Sequence, residues 1–364
     1  MFDRRLVINF DWVLLLTVCT LAGIGIVNLY SATAGWNAAT PIYLKQIFWL
    51  CGGLVLALLV CCFDYRHLEH FAIHAYVISV ALLLIVLLLG KTSMGATRWI
   101  NLGLINLQPS EVIKVVIVLM LARIFGRTAH PLGYGLGELW QPALILLAPI
   151  VLILKQPDLG TALMVVFITV SMLLFAGLRR NTLLGLGFLS VLAAVGGWFG
   201  MHDYQRERIR TFLNPEVDPL GSGYHIIQSK IAVGSGGFFG KGFMQGTQSQ
   251  LSFLPERHTD FAFSVFAEEW GFSGSFLLLL VYLFLIIWGI YIARRAADRF
   301  GMFLAIGVTA MIFWHIVVNL GMVIGLLPVV GVPLPLFSYG GTSMVTTMIG
   351  VGLLMSVSMR RFTF

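Results

Sequence analysis

Charged side chains are scarce in this chain, so the places where they meet apolar sequence are where chemistry would sit. The stretch Leu254-Pro255-Glu256-Arg257-His258-Thr259-Asp260-Phe261 brings a carboxylate, Asp260, to the point where a polar loop runs into a long apolar segment. An ionisable group so placed is costly beside hydrocarbon and is a functional candidate by default. A positioned carboxylate can take the proton of an attacking hydroxyl, help that contributes roughly 10²–10⁴-fold. His258, two residues earlier, could modulate it. Glu111 and Lys114 open another apolar segment three residues apart, which on a helix puts them on one face. Pro109 just before them suits a first helical turn. Such a pair either fixes helix packing or forms the charged floor of a cavity. Asp158, in Lys155-Gln156-Pro157-Asp158-Leu159-Gly160-Thr161, is either a further functional charge or the N-terminal cap of the helix that follows. Glu268 and Glu269 would be rotated about 80° and about 180° from Asp260 on a continuous helix, so both cannot face one cavity and one should bind a neighbouring helix. His315, mid-span beside Trp314, reads as a packed histidine, and Asn319 as an interhelical hydrogen-bonding residue.

The elements that must hold these residues are membrane spans. The chain has 364 residues, 59% of them hydrophobic and 11% charged, with a mean hydropathy of +0.92. That excludes an ordinary soluble domain. Apolar runs long enough to cross ~30 Å of hydrocarbon recur about ten times, near 10–31, 43–63, 71–90, 109–125, 141–155, 159–178, 181–200, 262–293, 302–326 and 342–358. The first reads as an uncleaved helix, because no small-residue cleavage site follows a short apolar core. The reading is an all-α polytopic membrane protein of about ten transmembrane helices, a single domain over 1–364.

The net charge of +7 is an orientation signal, and no nucleic-acid partner is expected. If the spans alternate, Arg4, Arg5, Arg66, Arg123, Arg127, Arg179, Arg180, Arg294, Arg295, Arg299, Arg360 and Arg361 share one side, against Lys91, Arg98 and Lys155 in the short loops opposite. This positive-inside pattern puts both termini in the cytoplasm. One large loop, 201–260, is then extracytoplasmic and should contain short helical pieces. Its Arg206, Arg208, Arg210, Lys230, Lys241 and Arg257 make a basic surface that suits a phosphate or diphosphate, or simple headgroup adhesion. Within it, Gly234 to Gly242 imitates a nucleotide-binding loop but meets neither the dinucleotide nor the Walker A pattern; it reads as a close-packed turn. Leu326 to Gly341 contains Pro328, Pro333 and Pro335, which exclude a continuous helix. Its apolar character points to a broken segment packed in protein and lining a cavity. Cys19, Cys51, Cys61 and Cys62 form no disulfide framework or metal spacing, and His67, His70 and His74 read as an interfacial polar face.

Six segments, in order, resemble the SEDS family (shape, elongation, division and sporulation), within it the rod-shape branch. They are Gly95-Ala96-Thr97-Arg98-Trp99, Gln108-Pro109-Ser110-Glu111 with Lys114, and Lys155 through Thr161; then Gly223-Tyr224-His225-Ile226-Ile227-Gln228-Ser229-Lys230, Leu254 through Phe261, and Pro333-Leu334-Pro335 with Ser338-Tyr339-Gly340-Gly341. Arg257 and the short N-terminal segment favour the elongation branch, and Trp270 is a local departure from the family's usual aliphatic residue. The resemblance implies a peptidoglycan glycosyltransferase that polymerises lipid II, a glycan on undecaprenyl diphosphate, at the outer face of the cytoplasmic (inner) membrane, facing the periplasm or cell exterior. It implies Asp260 as general base for the acceptor 4-hydroxyl. An α-linked donor giving a β-linked glycan means a single inverting displacement. Glu111, Lys114, Asp158, Arg98, Arg206, Arg210, Lys230, His258 and Ser338 would bind substrate or support the site. The leaving diphosphate gains charge, which chain cations or a divalent ion, Mg or Mn, could stabilise. A class B penicillin-binding protein transpeptidase and other elongation-complex proteins are the implied partners. The rival is a lipid II flippase, since transporters also use broken helices and intramembrane charges; a noncatalytic scaffold is a third reading. The chain shows no inverted repeat, and its largest polar segment lies wholly outside.

Overall fold

The protein is described by a computed structural model over residues 9–34, 40–93, 96–101, 106–128, 130–201, 203–218, 222–251, 253–254 and 256–362. Its helices in chain order are α1 (Trp12–Ala32), α2 (Ile42–Cys62), α3 (Tyr65–Leu89), α4 (Pro109–Arg127), α5 (Trp140–Lys155), α6 (Leu159–Ala176), α7 (Arg180–Gly200), α8 (Asp203–Leu213), α9 (Ser222–Ser235), α10 (Thr247–Gln250), α11 (Ala262–Arg294), α12 (Arg299–Val323) and α13 (Gly341–Met359). Eight of these, α1–α3, α6, α7 and α11–α13, are long and apolar enough to cross a membrane. With α4, 19 residues long and more charged, and α5, 16 residues long, they match the ten spans read from the sequence. The chain is thus a polytopic helical membrane protein.

Burial sorts the spans into an inner and an outer set. The apolar stretches of α12 and α13 are 72% and 83% buried, whereas that of α7 is 0% buried. Small residues let the inner helices approach: at Gly352 of α13 a Cβ would fall 2.6 Å from the Ala57 carbonyl oxygen of α2. Backbones in contact this way gain the close packing that holds helices together in lipid. At one end of the bundle three aspartates cap helices, Asp11 on α1, Asp64 on α3 and Asp298 on α12. Each also reaches across to another helix or its flank. Asp11 accepts from Ser358 Oγ at 2.7 Å and from Trp288 Nε1 at 3.1 Å; Asp298 accepts from Tyr65 Oη at 2.5 Å; Asp64 lies 3.8 Å from Arg360. The start of α1 and the end of α13 therefore lie side by side.

At the opposite end the structure adds something the sequence reading lacked. Between α3 and α4 lie three short antiparallel strands, β1 (Lys91–Ser93), β2 (Ala96–Asn101) and β3 (Asn106–Leu107), in the order β1-β2-β3. Ile100 pairs with Leu107, which carries Arg98 and Trp99 to the N-terminal end of α4. The 201–260 loop contains α8, α9 and α10, the short helical pieces expected of it.

Its glycine-rich turn is built into a helix break. Helix α11 is interrupted at Gly271, with φ 64° and ψ −162°. The turn repairs the lost backbone pairing: Lys241 and Gly242 amides donate to the Glu268 and Glu269 carbonyls, both at 3.0 Å, while Phe272 and Ser273 amides donate to Gly237 and Phe238 at 2.9 and 3.0 Å. Backbone groups inside a membrane protein need such partners. Only glycine fits at 240, where φ is +82° and a Cβ would strike the Glu269 backbone.

The segment from Leu326 to Gly340 is non-helical and, from Leu334 to Ser338, buried. Side chains from three helices satisfy its carbonyls. Asn319 donates to Val332 at 2.8 Å, Tyr282 to Pro335 at 2.7 Å and Gln46 to Ser338 at 3.0 Å. A proline-broken stretch is held inside protein by helix-borne donors, as its composition requires.

Candidate active site

A cavity of about 820 Å³ opens at the end of the bundle that carries the small sheet. Its lining joins seven elements remote in sequence: the N-terminal turns of α2, α4 and α6, the strand bearing Arg98, the end of the 201–260 loop, α12 through His315, and the broken segment 331–341. Asp260, Glu111, Lys114, Asp158 and Arg98 all face it.

On the floor, Lys114 is 1% exposed and Glu111 6%. Lys114 Nζ donates to Glu111 Oε1 at 2.6 Å and lies 2.7 Å from His315 Nε2 of α12. The helical i, i+3 spacing makes the first contact; the packing of α12 on α4 makes the second. His315, read from sequence as a packed histidine, is thus part of the charged floor. Its signal was present all along, as a titratable ring in the middle of an apolar span.

Asp158 resolves toward capping. Its Oδ1 accepts from the Thr161 amide at 3.3 Å, and Oδ2 accepts from Thr161 Oγ1 at 2.9 Å. Ser110 Oγ and Gln108 Nε2 each lie 3.4 Å from Oδ2. This carboxylate ties the N-terminus of α6 to that of α4. It also sits 3.9 Å from Arg98 Nη1, whose guanidinium donates to the Gln156 and Pro157 carbonyls. Arg98 is therefore fixed at the cavity wall by backbone and carboxylate together.

Asp260 stands just ahead of α11. Its main chain is held by Asn319, which donates to the Asp260 carbonyl at 2.8 Å. Its carboxylate accepts no hydrogen bond among the described residues, so its lone pairs are left to the cavity. Part of the residue surface is open there, yet protein crowds the acid on its other sides. That desolvation, with the nearby Glu256 carboxylate, pushes its pKa up to about 6, while Arg208 opposes the rise. Gly331, at φ +73°, passes so close that a Cβ would lie 3.5 Å from Oδ2. A proton acceptor with bare oxygens and a pKa near neutrality is what general-base work needs.

Several loop residues expected at the site lie elsewhere. Arg206 donates to the Trp198 and Phe199 carbonyls at 3.2 and 3.0 Å, closing the end of α7. Arg210 is exposed on α8, one helical turn from Arg206 and on the same face. Arg208, about 200° round that helix, is the loop cation whose field reaches Asp260. Lys230 is exposed, its stem lying against Gly325. Ser338 is buried in the broken segment, its hydroxyl accepting from the Leu334 amide at 3.1 Å. His258 is half-buried behind the site; its carbonyl accepts from the Tyr339 amide at 2.9 Å, and burial lowers its imidazole pKa. None of these six residues lines the cavity. Lys45 of α2 does, a cation the sequence reading passed over because it lies within an apolar run.

Glu268 and Glu269 diverge as helical rotation demands. Glu268 accepts from Lys241 Nζ at 2.7 Å and from the Gln248 amide at 3.0 Å, whereas Glu269 accepts from Ser31 Oγ of α1. Among the described residues no group of three or more His, Cys, Asp or Glu side chains could hold a metal ion. Within the cavity Glu111 is turned to Lys114 and Asp158 to its capping donors.

The family model FTSW_RODA_SPOVE, described as cell cycle protein, matches residues 11–362. The peptidoglycan glycosyltransferase MrdB of Escherichia coli K12 is 44% identical over 338 residues, covering 92% of this chain and 90% of its own length. A chain from a structure on coordination of polymerization and crosslinking by a peptidoglycan synthase complex superposes with a TM-score of 0.83 at 36% identity, covering 98% of this chain and 99% of that one. The rod shape determining protein RodA of Thermus thermophilus superposes with a TM-score of 0.73 at 32% identity, covering 98% of each chain.

Proposed function

This chain belongs to the FtsW/RodA/SpoVE family, the SEDS proteins, and on that basis we propose that it is a peptidoglycan glycosyltransferase that polymerises lipid II by an inverting displacement, with Asp260 as the base. The observation that carries the reading is Asp260 itself: an acid whose oxygens take no hydrogen bond among the described residues, facing a cavity floored by a buried lysine. In the reaction, Asp260 takes the proton of the acceptor 4-hydroxyl as its oxygen attacks the donor's anomeric carbon. The bond from that carbon to the diphosphate breaks on the opposite face, and the diphosphate leaves with the electron pair. Developing charge there is met by fixed cations, which act most strongly where water is excluded. Arg98 and Lys114 line the same cavity and suit that task.

The arginine distribution supports an orientation with both termini in the cytoplasm and the cavity facing outward. Lipid-linked substrate would then enter from the outer leaflet. The likeness to a chain of a peptidoglycan synthase complex supports a class B penicillin-binding protein as the crosslinking partner.

The test supplies purified protein, together with that transpeptidase, with labelled lipid II in detergent and reads glycan length on a gel. Polymer from wild type and none from Asp260→Ala at equal folded yield is the expected result. Normal polymer from Asp260→Ala removes the base assignment. A wild type that makes no polymer but moves lipid II across vesicles makes the protein a flippase.

A further inference from the structure

We propose that His315 is a positioning residue: a histidine locked in one tautomer that aims the Lys114 ammonium at the substrate. The inference rests on the glycosyltransferase reading for its consequence, but its geometry stands alone.

His315 Nδ1 lies 2.7 Å from the Met311 carbonyl oxygen, one turn back on the same helix. A carbonyl can only accept, so Nδ1 carries a hydrogen. The other ring nitrogen, Nε2, lies 2.7 Å from Lys114 Nζ. An ammonium offers three donors and no lone pair, so Nε2 must present a lone pair to it. The ring is therefore neutral and protonated on Nδ1. An imidazolium would set N–H against N–H and place two positive charges 2.7 Å apart.

The remaining bookkeeping of hydrogens fixes the direction of the lysine. One N–H goes to Glu111 Oε1 at 2.6 Å and one to His315 Nε2. No other partner for Nζ exists among the described residues, although Lys114 is 1% exposed. The third N–H is left for the cavity that Lys114, Glu111 and His315 together line. Glu111 and His315 grip the ammonium from two helices, α4 and α12, which pack along their length. A flexible lysine is thereby converted into a fixed donor for a substrate oxygen bearing negative charge. Preorganised donors of this kind are worth most because nothing has to reorient as charge develops.

Two variants separate this from mere packing. His315→Gln retains an acceptor that can reach the ammonium, and His315→Leu keeps bulk but removes it. In the polymerisation assay His315→Leu should lose about tenfold or more in kcat, the size expected of a hydrogen bond to a charged group, and His315→Gln should recover most of it. In a Lys114→Met background the same His315→Leu change should cost little further. A loss common to Leu and Gln, or one fully additive with Lys114→Met, overturns the proposal. The tautomer is read separately, from the nitrogen-15 spectrum of histidine-labelled protein, with the His315 signals identified by their disappearance in His315→Gln. A neutral ring protonated on Nδ1 supports the lock. A ring protonated on Nε2, or on both nitrogens near pH 7, overturns it. That spectrum does not depend on turnover, so its failure and a failure of the glycosyltransferase reading are told apart.

Discussion

Asn319 holds Asp260 by its main chain and leaves its carboxylate alone. One side-chain amide donates to the Asp260 carbonyl and to the Val332 carbonyl, both at 2.8 Å. One residue of α12 therefore ties the base to the broken segment beside it. Asn319→Leu, which removes both bonds in a buried place, should cost about 1–3 kcal/mol of stability and lower kcat more than it raises KM. Melting temperature and steady-state kinetics on one preparation check this. A variant that melts lower but turns over normally would show that Asp260 is held by other means.

The pH dependence of polymerisation should report the Asp260 acid. Its pKa is raised to about 6, and the base must be ionised to accept a proton. Activity should level off above that value and fall close to tenfold per unit below it. A rate flat from pH 5 to 8 would remove Asp260 from the rate-limiting proton transfer.

The same raised pKa makes a statement about stability. An unfolded aspartate titrates near 3.9, so between about 4 and 6 the folded state binds more protons, and stability falls as pH rises through that window. At neutral pH the charged acid costs the fold about 2–3 kcal/mol. Asp260→Asn should raise the melting temperature at pH 7 while abolishing polymerisation. A variant no more stable than wild type would mean that the acid is less crowded than its surroundings indicate.

On the cavity floor, Lys114→Ala should reduce activity more than Lys114→Arg, because the arginine keeps a cation beside Glu111. Equal activity of both with wild type would return the pair to a packing role.

The splice between the glycine-rich turn and α11 should be intolerant of side chains. Gly240→Ala places a methyl against the Glu269 backbone at a φ of +82°, and the left-handed conformation alone costs a non-glycine residue roughly 1–2 kcal/mol. Loss of folded yield is the expected pattern; Gly237→Ala, at a left-handed φ of +56° but with nothing within 4 Å of its Cβ, should bear the conformational cost without the clash and lose less.

What the sequence made legible follows from what membranes demand. The spans were readable because each must be apolar over nearly its whole length, and the proline-broken segment because three prolines in a largely apolar stretch admit few alternatives. Asp260 and the Glu111–Lys114 pair were readable because charge next to hydrocarbon needs a reason. The fates of Arg206, Arg210 and Lys230 were not. In a polar loop any cation is cheap, and which one faces inward depends on rotation about α8 and α9, which composition does not record. His315 was read as merely packed because its partner is 201 residues away and only the packing of α12 on α4 brings them together. The small sheet was missed because two- to six-residue strands carry too little alternation to stand out beside long spans.

Helix α7 shows where this molecule makes the fewest demands on its own sequence. None of the described side chains in its apolar stretch is fully buried, and Leu186 packs against the core only in part. Leu184, Phe188, Val191 and Phe199 are exposed and would meet lipid tails rather than shaped protein surfaces. Exchange of one aliphatic residue for another at these exposed positions alters little packing within the chain, whereas a charge, at ~2.5–3.5 kcal/mol near mid-span, would be felt. Mutational drift among descendants of this protein should therefore run fastest along α7 and slowest around Asn319, with hydropathy the one property α7 must preserve.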